Sequence, residues 1–188
     1  IFEILNFLGR ETRIVQNLYS LAYHDSLTGL PNRALLLDRA RRALIRSRKS
    51  TGSNYVGVIQ LDIDRFKLVN DRHGHAMGDQ ALCLMARTLQ TQLRGQEFAA
   101  RWGGEEFLIL TPSLRLEEGL VLAETLREAV EKTTIYDGDI TINTTITLGV
   151  VAYSHGKTLD SLIKEADFYL YAGKKLQRNC VMSSASPT

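Results

Sequence analysis

Arg101-Trp102-Gly103-Gly104-Glu105-Glu106-Phe107 sets two glycines directly before two carboxylates, with apolar residues on both sides. Apolar flanks predict paired strands, so the run reads as a tight hairpin with acids at its tip. Glycine there leaves no Cβ in the way of a ligand approaching bare backbone. Adjacent acids beside such a gap are costly unless cations neutralise them, which points to a metal-and-phosphate site. A surface hairpin with solvated acids has the same local pattern, so residues elsewhere must decide.

A second acidic pair closes a short apolar run. Tyr55 to Leu61 reads as a buried strand that delivers Asp62 and Asp64 at its C-terminal end. The two are expected to face opposite ways, Asp62 into the site and Asp64 to solvent or the cap of the next helix. If this strand lies beside the hairpin, Asp62 and Glu105 converge. Oxygen ligands without His or Cys select a hard cation such as Mg²⁺ or Mn²⁺. Magnesium takes its remaining ligands from water and substrate phosphates, so a nucleotide is implied. Two such ions per site could hold the attacking and leaving oxygens of a phosphoryl displacement. Lys174 and Arg178, at i and i+4, read either as phosphate-holding cations or as a solvated helix end. Asn70 alone is a turn or cap residue, and Trp102 reads as core.

The elements that must position these groups follow from periodicity. Ile1, Leu8, Val15 and Ala22 recur every seven residues, with Ile4 and Leu18 at companion positions, which predicts a helical stalk over 1–22. Gly29 and Pro31 end it and start a helix from Asn32 to about Ser50. Further helices are predicted over Asp79–Leu93, Leu116–Val130 and Leu159–Lys175. Strands are predicted over Phe98–Leu110 as the hairpin, over Ile140–Val150 as one half-buried strand, and near Cys180. The fold class is α+β, a mainly antiparallel central sheet flanked by helices.

Composition excludes several classes. At 188 residues and 44% hydrophobic content the chain supports one core and an appendage. A net charge of +2 without polybasic runs gives no footprint for nucleic acid. No apolar run is long enough to span a bilayer. Cys83 and Cys180 lack metal spacing and read as free thiols in a reducing cytosol. The chain starts at Ile1 rather than Met, which reads as a piece of a longer protein.

Several ordered motifs bear a common resemblance. Gly103-Gly104-Glu105-Glu106-Phe107, Asp25-Ser26-Leu27-Thr28-Gly29-Leu30-Pro31-Asn32-Arg33, Leu61-Asp62-Ile63-Asp64-Arg65-Phe66-Lys67, Asn70-Asp71-Arg72-His73-Gly74-His75 with Gly78-Asp79, Ala166-Asp167, and Lys174 to Asn179 resemble those of GGDEF domains, the diguanylate cyclase family. The match runs over residues 25–181. It implies a fold like the palm of polymerases and class III nucleotide cyclases. It also implies a reaction in which two GTP condense to cyclic di-GMP and two pyrophosphates.

By that resemblance Asp62, Glu105 and the Ile63 carbonyl ligate metal, and Glu106 either ligates as well or assists deprotonation of the 3′-hydroxyl. Asn70 and Asp79 read the guanine edge, while Phe66, Lys67, Lys174 and Arg178 hold phosphates. An acid at Asp79 favours GTP over ATP. Domains 1–22 and 23–188 are expected as signalling helix and cyclase domain. The expected partners are a second copy joined through the N-terminal helix and an upstream sensory domain. Location is expected to be cytoplasmic, with any membrane anchor lying upstream in the full-length chain.

Where many relatives carry an inhibitory Arg-x-x-Asp, this chain has Arg94-Gly95-Gln96-Glu97. The longer acid predicts weakened or absent product inhibition. Gln177 stands at a usual glycine, and Gly173 and Tyr169 at usual alanines. The alternative is a catalytically silent module of the same fold that binds GTP or cyclic di-GMP. Such modules usually lose a signature acid or glycine, and this chain retains them.

Overall fold

A computed structural model describes residue 14 and residues 18–49, 56–93, 95–112, 114–138, 140–153 and 156–186. Residues 18–23 are helical and exposed; the rest of the expected stalk, apart from residue 14, lies outside the described residues. The Gly-Pro segment then turns the chain into α1 (Arg33–Lys49), where the Asn32 side chain accepts from the Leu35 N–H at 3.2 Å as a helix cap.

There follow β1 (Val56–Ile63), α2 (Phe66–His73), α3 (His75–Gln92), β2 (Phe98–Gly103) and β3 (Glu106–Pro112). The second half holds α4 (Leu116–Glu131), β4 (Thr134–Asp137), β5 (Ile140–Asn143), β6 (Ile146–Ala152), α5 (Leu159–Leu176) and β7 (Val181–Ser183). Five strands form one sheet in the order β2-β3-β1-β6-β7, and β4 and β5 form a separate ribbon. Every pairing in the main sheet is antiparallel except β6 with β7. The expected α+β class is the one observed.

β1 is central and buried along its whole length. Its odd-numbered Ile59, Leu61 and Ile63 join Phe107, Ile109, Leu148 and Val150 under residues of α2, α3 and α4. Its even-numbered Val56 and Val58 join Leu108, Leu110 and Val151 under α1 and α5. Burying each such aliphatic side chain contributes roughly 2 kcal/mol, so both layers hold the central strand firmly. Gln60 and Asp62 continue the second set by alternation, which points them to the α5 side of the sheet.

The single half-buried strand expected over Ile140–Val150 is instead two strands. The break falls at Thr144–Thr145, where the Thr145 carbonyl accepts from the Asp64 N–H at 2.9 Å and its hydroxyl donates to the Asp64 carboxylate. β6 is also buried on both faces, because helices cover the sheet on each side. Cys83 and Cys180 are free thiols, as expected.

α5 lies unusually close to β6. A Cβ built on Gly149 would stand 2.0 Å from the Ala166 carbonyl oxygen and 2.6 Å from the Leu170 nitrogen. One on Gly173 would stand 2.7 Å from Thr147 Cγ2 and 2.9 Å from Met182 Cγ. Neither place has room for a methyl group, so two glycines set the height of α5 above the sheet. That height carries Lys174, the next residue, to the end of β1.

Candidate active site

Asp62 stands one residue from the end of β1, directly opposite Glu106 of β3 and Thr147 of β6. Opposed residues share a face, so the three side chains point toward α5. From there Lys174 places its Nζ 2.5 Å from Asp62 Oδ2. The other oxygen, Oδ1, is buried with no hydrogen-bond partner among the described residues. A buried carboxylate oxygen with no donor is costly, and it is a place a cation would stabilise.

Burial raises the Asp62 carboxyl to about 6 against the pull of Lys174, with Glu105 and Glu106 adding repulsion. Burial also raises Glu106, helped by the charges of Asp167 and Glu105 and opposed by Lys174. Beneath this cluster the Gln60 amide donates to Asp167 at 3.3 Å. Four acids, Asp62, Glu105, Glu106 and Asp167, and one lysine therefore share a small, partly desolvated space.

The turn above them is shaped for access. Gly104 takes a φ of 51°, and the register of β2 shifts between Arg101 and Gly103. A Cβ on either Gly103 or Gly104 would meet nothing within 4 Å, so the space over both is open. The Ile63 N–H donates to the Glu105 carbonyl at 3.4 Å, which ties the turn to the end of β1.

Arg101 ties it from the other side. Its Nε and Nη2 donate to the Gly104 carbonyl at 3.0 and 2.8 Å, and its Nη1 reaches both Asp25 oxygens at 3.1 Å. Burial raises the Asp25 carboxyl, but hydrogen bonds from Thr28 and Arg101 outweigh it and leave it below the ordinary value.

The expected guanine readers occupy the α2–α3 junction. Asn70 is half-buried against Gly78, and Asp79 is exposed beside it. Gly74 joins the two helices with a φ of 80°, a conformation that favours glycine. Phe66 is buried at the start of α2 and Lys67 is exposed. Arg178 lies on a cleft of about 380 Å³ shared with Asp64, Arg65 and Arg72.

The expectation for Asp64 is overturned. Residues two apart on a strand point to the same face, not opposite ones. Asp64 is only 6% exposed and faces neither solvent nor a helix cap. Its carboxylate accepts from Thr147 Oγ1 at 2.7 Å, Thr145 Oγ1 at 2.8 Å and the Asn179 N–H at 2.9 Å.

Among the described residues no group of three or more His, Cys, Asp or Glu side chains forms a metal cage. The orphaned Asp62 Oδ1, the carboxylates of Glu105 and Glu106 and the carbonyl of Ile63 are all hard oxygen donors. That set fits a Mg²⁺ or Mn²⁺ ion, which commonly takes one or two carboxylates and completes its shell from substrate and water.

The family model described as "Diguanylate cyclase, GGDEF domain" matches residues 22–180. The chain belongs to the GGDEF family. Diguanylate cyclase DgcM of Escherichia coli K12 is 34% identical to this GGDEF chain over 181 residues, 96% of this chain and 43% of that protein. The chain thus spans less than half the length of that relative.

Among solved structures, the coiled coil and GGDEF domain of DgcB from Caulobacter crescentus, in complex with c-di-GMP, superposes with a TM-score of 0.88 at 27% identity. That match covers 97% of this chain and 96% of that one. The active GGEEF domain of a diguanylate cyclase from Vibrio cholerae, whose signature has the same acids as Glu105-Glu106, gives a TM-score of 0.76. It is 29% identical, covering 83% of this chain and 98% of that one.

Two departures from the GGDEF pattern now have physical accounts. Gly173 replaces an alanine because a Cβ there would collide with Thr147 and Met182. Gln177 replaces a glycine at a negative φ of −149°, so no left-handed backbone is asked of it. The positive φ values fall instead on Arg178 and Asn179, at 59° and 45°. For the degenerate inhibition site, Arg94 lies outside the described residues. Glu97 turns its carboxylate back to accept from the Gly95 N–H at 2.6 Å.

Sequence reasoning gave Arg101, Asp25 and Gln60 no place in the site. The first two stand within quoted motifs, but only their pairing across 76 residues of chain reveals a role. Gln60 is hidden within an apolar run.

Proposed function

We propose that this GGDEF chain is a diguanylate cyclase that condenses two GTP into cyclic di-GMP. The observation that carries this reading is the buried Asp62 with one oxygen on Lys174 and the other orphaned, under a glycine turn open to solvent. In each half-reaction a 3′-oxygen bonds to the other nucleotide's α-phosphorus, and the bond to the β-phosphate oxygen breaks. Pyrophosphate leaves, and the 3′-hydroxyl proton passes to a base, a role that falls to Glu106, whose carboxyl burial raises above its ordinary value.

A divalent cation held by Asp62, Glu105 and the Ile63 carbonyl would supply charge neutralisation at the α-phosphate. Lys174, Arg178, Lys67 and the backbone at Phe66 bind the terminal phosphates, where fixed cations offset the triphosphate charge. At the guanine edge Asp79 accepts from the N1 and N2 hydrogens, and the Asn70 amide supplies both a donor and an acceptor.

One domain supplies one GTP, so the site is completed by a second copy facing it, brought near by the N-terminal helix. A domain boundary near residue 22 and an upstream sensor belong to the same reading. Product feedback is weak in this reading, with Glu97 engaged locally. No helix among the described residues is long and apolar enough to cross a membrane.

Incubation of the dimeric protein with GTP and Mg²⁺, followed by chromatography, is expected to yield cyclic di-GMP, with the yield lost in Glu105→Ala and Glu106→Ala. A dimeric sample that binds GTP yet forms no product identifies a silent module instead.

Gly78→Ala tests the guanine pocket separately. The added Cβ would stand 1.9 Å from Asn70 Oδ1, so the Asn70 side chain must swing away. Helix propensity favours alanine, so thermal stability is expected to change by no more than about 1 kcal/mol. Losing the Asn70 hydrogen bond raises the KM for GTP by about tenfold. An unchanged KM removes Asn70 from the guanine site.

A further inference from the structure

Asp64 is as deeply buried as Asp62, yet the proposed chemistry gives it no task. Its oxygens are already taken by the hydroxyls of Thr145 and Thr147 and by the Asn179 N–H, at 2.7–2.9 Å. A carboxylate so engaged has little left for a cation. What it holds is the turn between α5 and β7.

Asn179 is gripped a second time through its side chain. Its Nδ2 donates to Glu131 Oε1 and its Oδ1 accepts from Arg127 Nη1, both at 2.8 Å. Arg127 is itself paired with Glu124 and Glu131. The residue is thus fixed by β1 through its backbone and by α4 through its amide.

Arg178 sits immediately before it, exposed, with no ion pair among the described residues. Arg178 and Asn179 are consecutive residues in the left-handed region, at φ 59° and 45°. Residues with a Cβ avoid that conformation, and it persists where the surroundings over-determine it. Here the surroundings are Asp64 on one side and Arg127 with Glu131 on the other. The outcome is a guanidinium held at the rim of the cleft that also contains Arg65.

We propose that Asp64 is a positioning residue: through the Asn179 N–H it fixes the left-handed turn that aims Arg178 at the terminal phosphates of the nucleotide. This rests on the reading of the site as a GTP site. The proposal assigns Asp64 a mechanical role and leaves the metal to Asp62 and Glu105.

Calorimetric binding of two probes tests it without turnover: a GTP analogue with a methylene between the α- and β-phosphorus atoms, and GMP, which lacks terminal phosphates. The wild-type protein is expected to prefer the analogue. Asp64→Ala is expected to cut that preference about tenfold while leaving GMP affinity unchanged. Arg178→Ala is expected to do the same, and the double variant no more than either alone. Thr145→Val removes one donor from the same carboxylate with little change in shape, and is expected to reduce the preference partially. It carries the same cycle with Arg178→Ala if Asp64→Ala does not fold.

Equal losses for analogue and GMP, or additive losses with Arg178→Ala, overturn the positioning role. A wild-type protein that binds neither probe overturns the GTP reading itself, a different result from either of these.

Discussion

Asp62→Asn is expected to abolish cyclic di-GMP formation and, without divalent metal, to make the protein more stable. The carboxylate is almost fully buried, one oxygen has no donor, and burial raises its carboxyl from 3.8 to about 6. A raised acid means the folded state binds the proton more tightly than the unfolded chain does. Folding is therefore favoured at this site below the unfolded value near 4, and that advantage is lost as pH rises through about 6.

A shift of about two units corresponds to roughly 3 kcal/mol once the group is fully ionised. Asparagine has no charge to bury, so its advantage is expected to be small at pH 4 and about 2–3 kcal/mol at pH 8. For a chain of this length each kcal/mol moves the melting temperature by roughly 2–4 °C. Metal-free urea melts at pH 4 and pH 8 check the sign, and chromatography checks the lost product, by at least about a thousandfold. A variant that is less stable at pH 8 contradicts the account of Asp62 as a strained, cation-seeking group. A variant that retains activity removes it from the chemistry altogether.

Arg101→Ala is expected to lower both stability and turnover. Its guanidinium bridges Asp25 and the Gly104 carbonyl, and both side chains of the ion pair are largely buried, at 16% and 22% exposure. Asp25 keeps its two hydrogen bonds from Thr28, at 2.7 and 2.8 Å, so the loss is less than that of a fully orphaned charge. About 2–3 kcal/mol is expected, or about 5–10 °C in melting temperature. Freed of Arg101, the turn keeps the strand pairing at Glu106 and the Ile63–Glu105 bond but loses the grip on its Gly104 carbonyl. Displacing a reacting group by about 1 Å can cost about a hundredfold, and kcat is expected to fall by that order with a smaller change in KM. Arg101→Lys is expected to stay impaired, since a single ammonium cannot bridge both partners. Full kcat in either variant rules out Arg101 as the brace of the turn.

How far the sequence could be read depended on how local the cause was. The hairpin, the starts of α1, α4 and α5 and the apolar β1 were legible because glycines, caps and periodicity act within a few residues; α3 instead starts at His75, four residues before the expected Asp79. The family motifs then carried the fold. Illegible features were those set by contacts across the sheet. The strand expected over Ile140–Val150 breaks because Asp64, about eighty residues earlier, takes both the hydroxyl and the carbonyl of Thr145. Lys174 is drawn to Asp62 because two glycines let α5 settle onto β6, and neither glycine announces that in the sequence. The face of Asp64 was misjudged by the expectation itself, since strict alternation already puts it with Asp62.

The entry segment is indexed to the turn it braces. The Asn32 side chain donates to the Ala22 carbonyl at 2.9 Å and its backbone N–H to Tyr23 at 2.9 Å, while the Arg101 N–H donates to Pro31 at 2.9 Å. Residues 18–23 are thus geared to the strand whose arginine grips Gly104. On a continuous helix each inserted residue turns whatever is fused upstream by about 100° and lifts it about 1.5 Å. On the proposed reading of residues 1–22 as a signalling helix, sensor modules grafted ahead of residue 18 would be interchangeable in whole heptads and out of phase otherwise. The domain would then act as a keyed coupling that accepts torque only at matching angles.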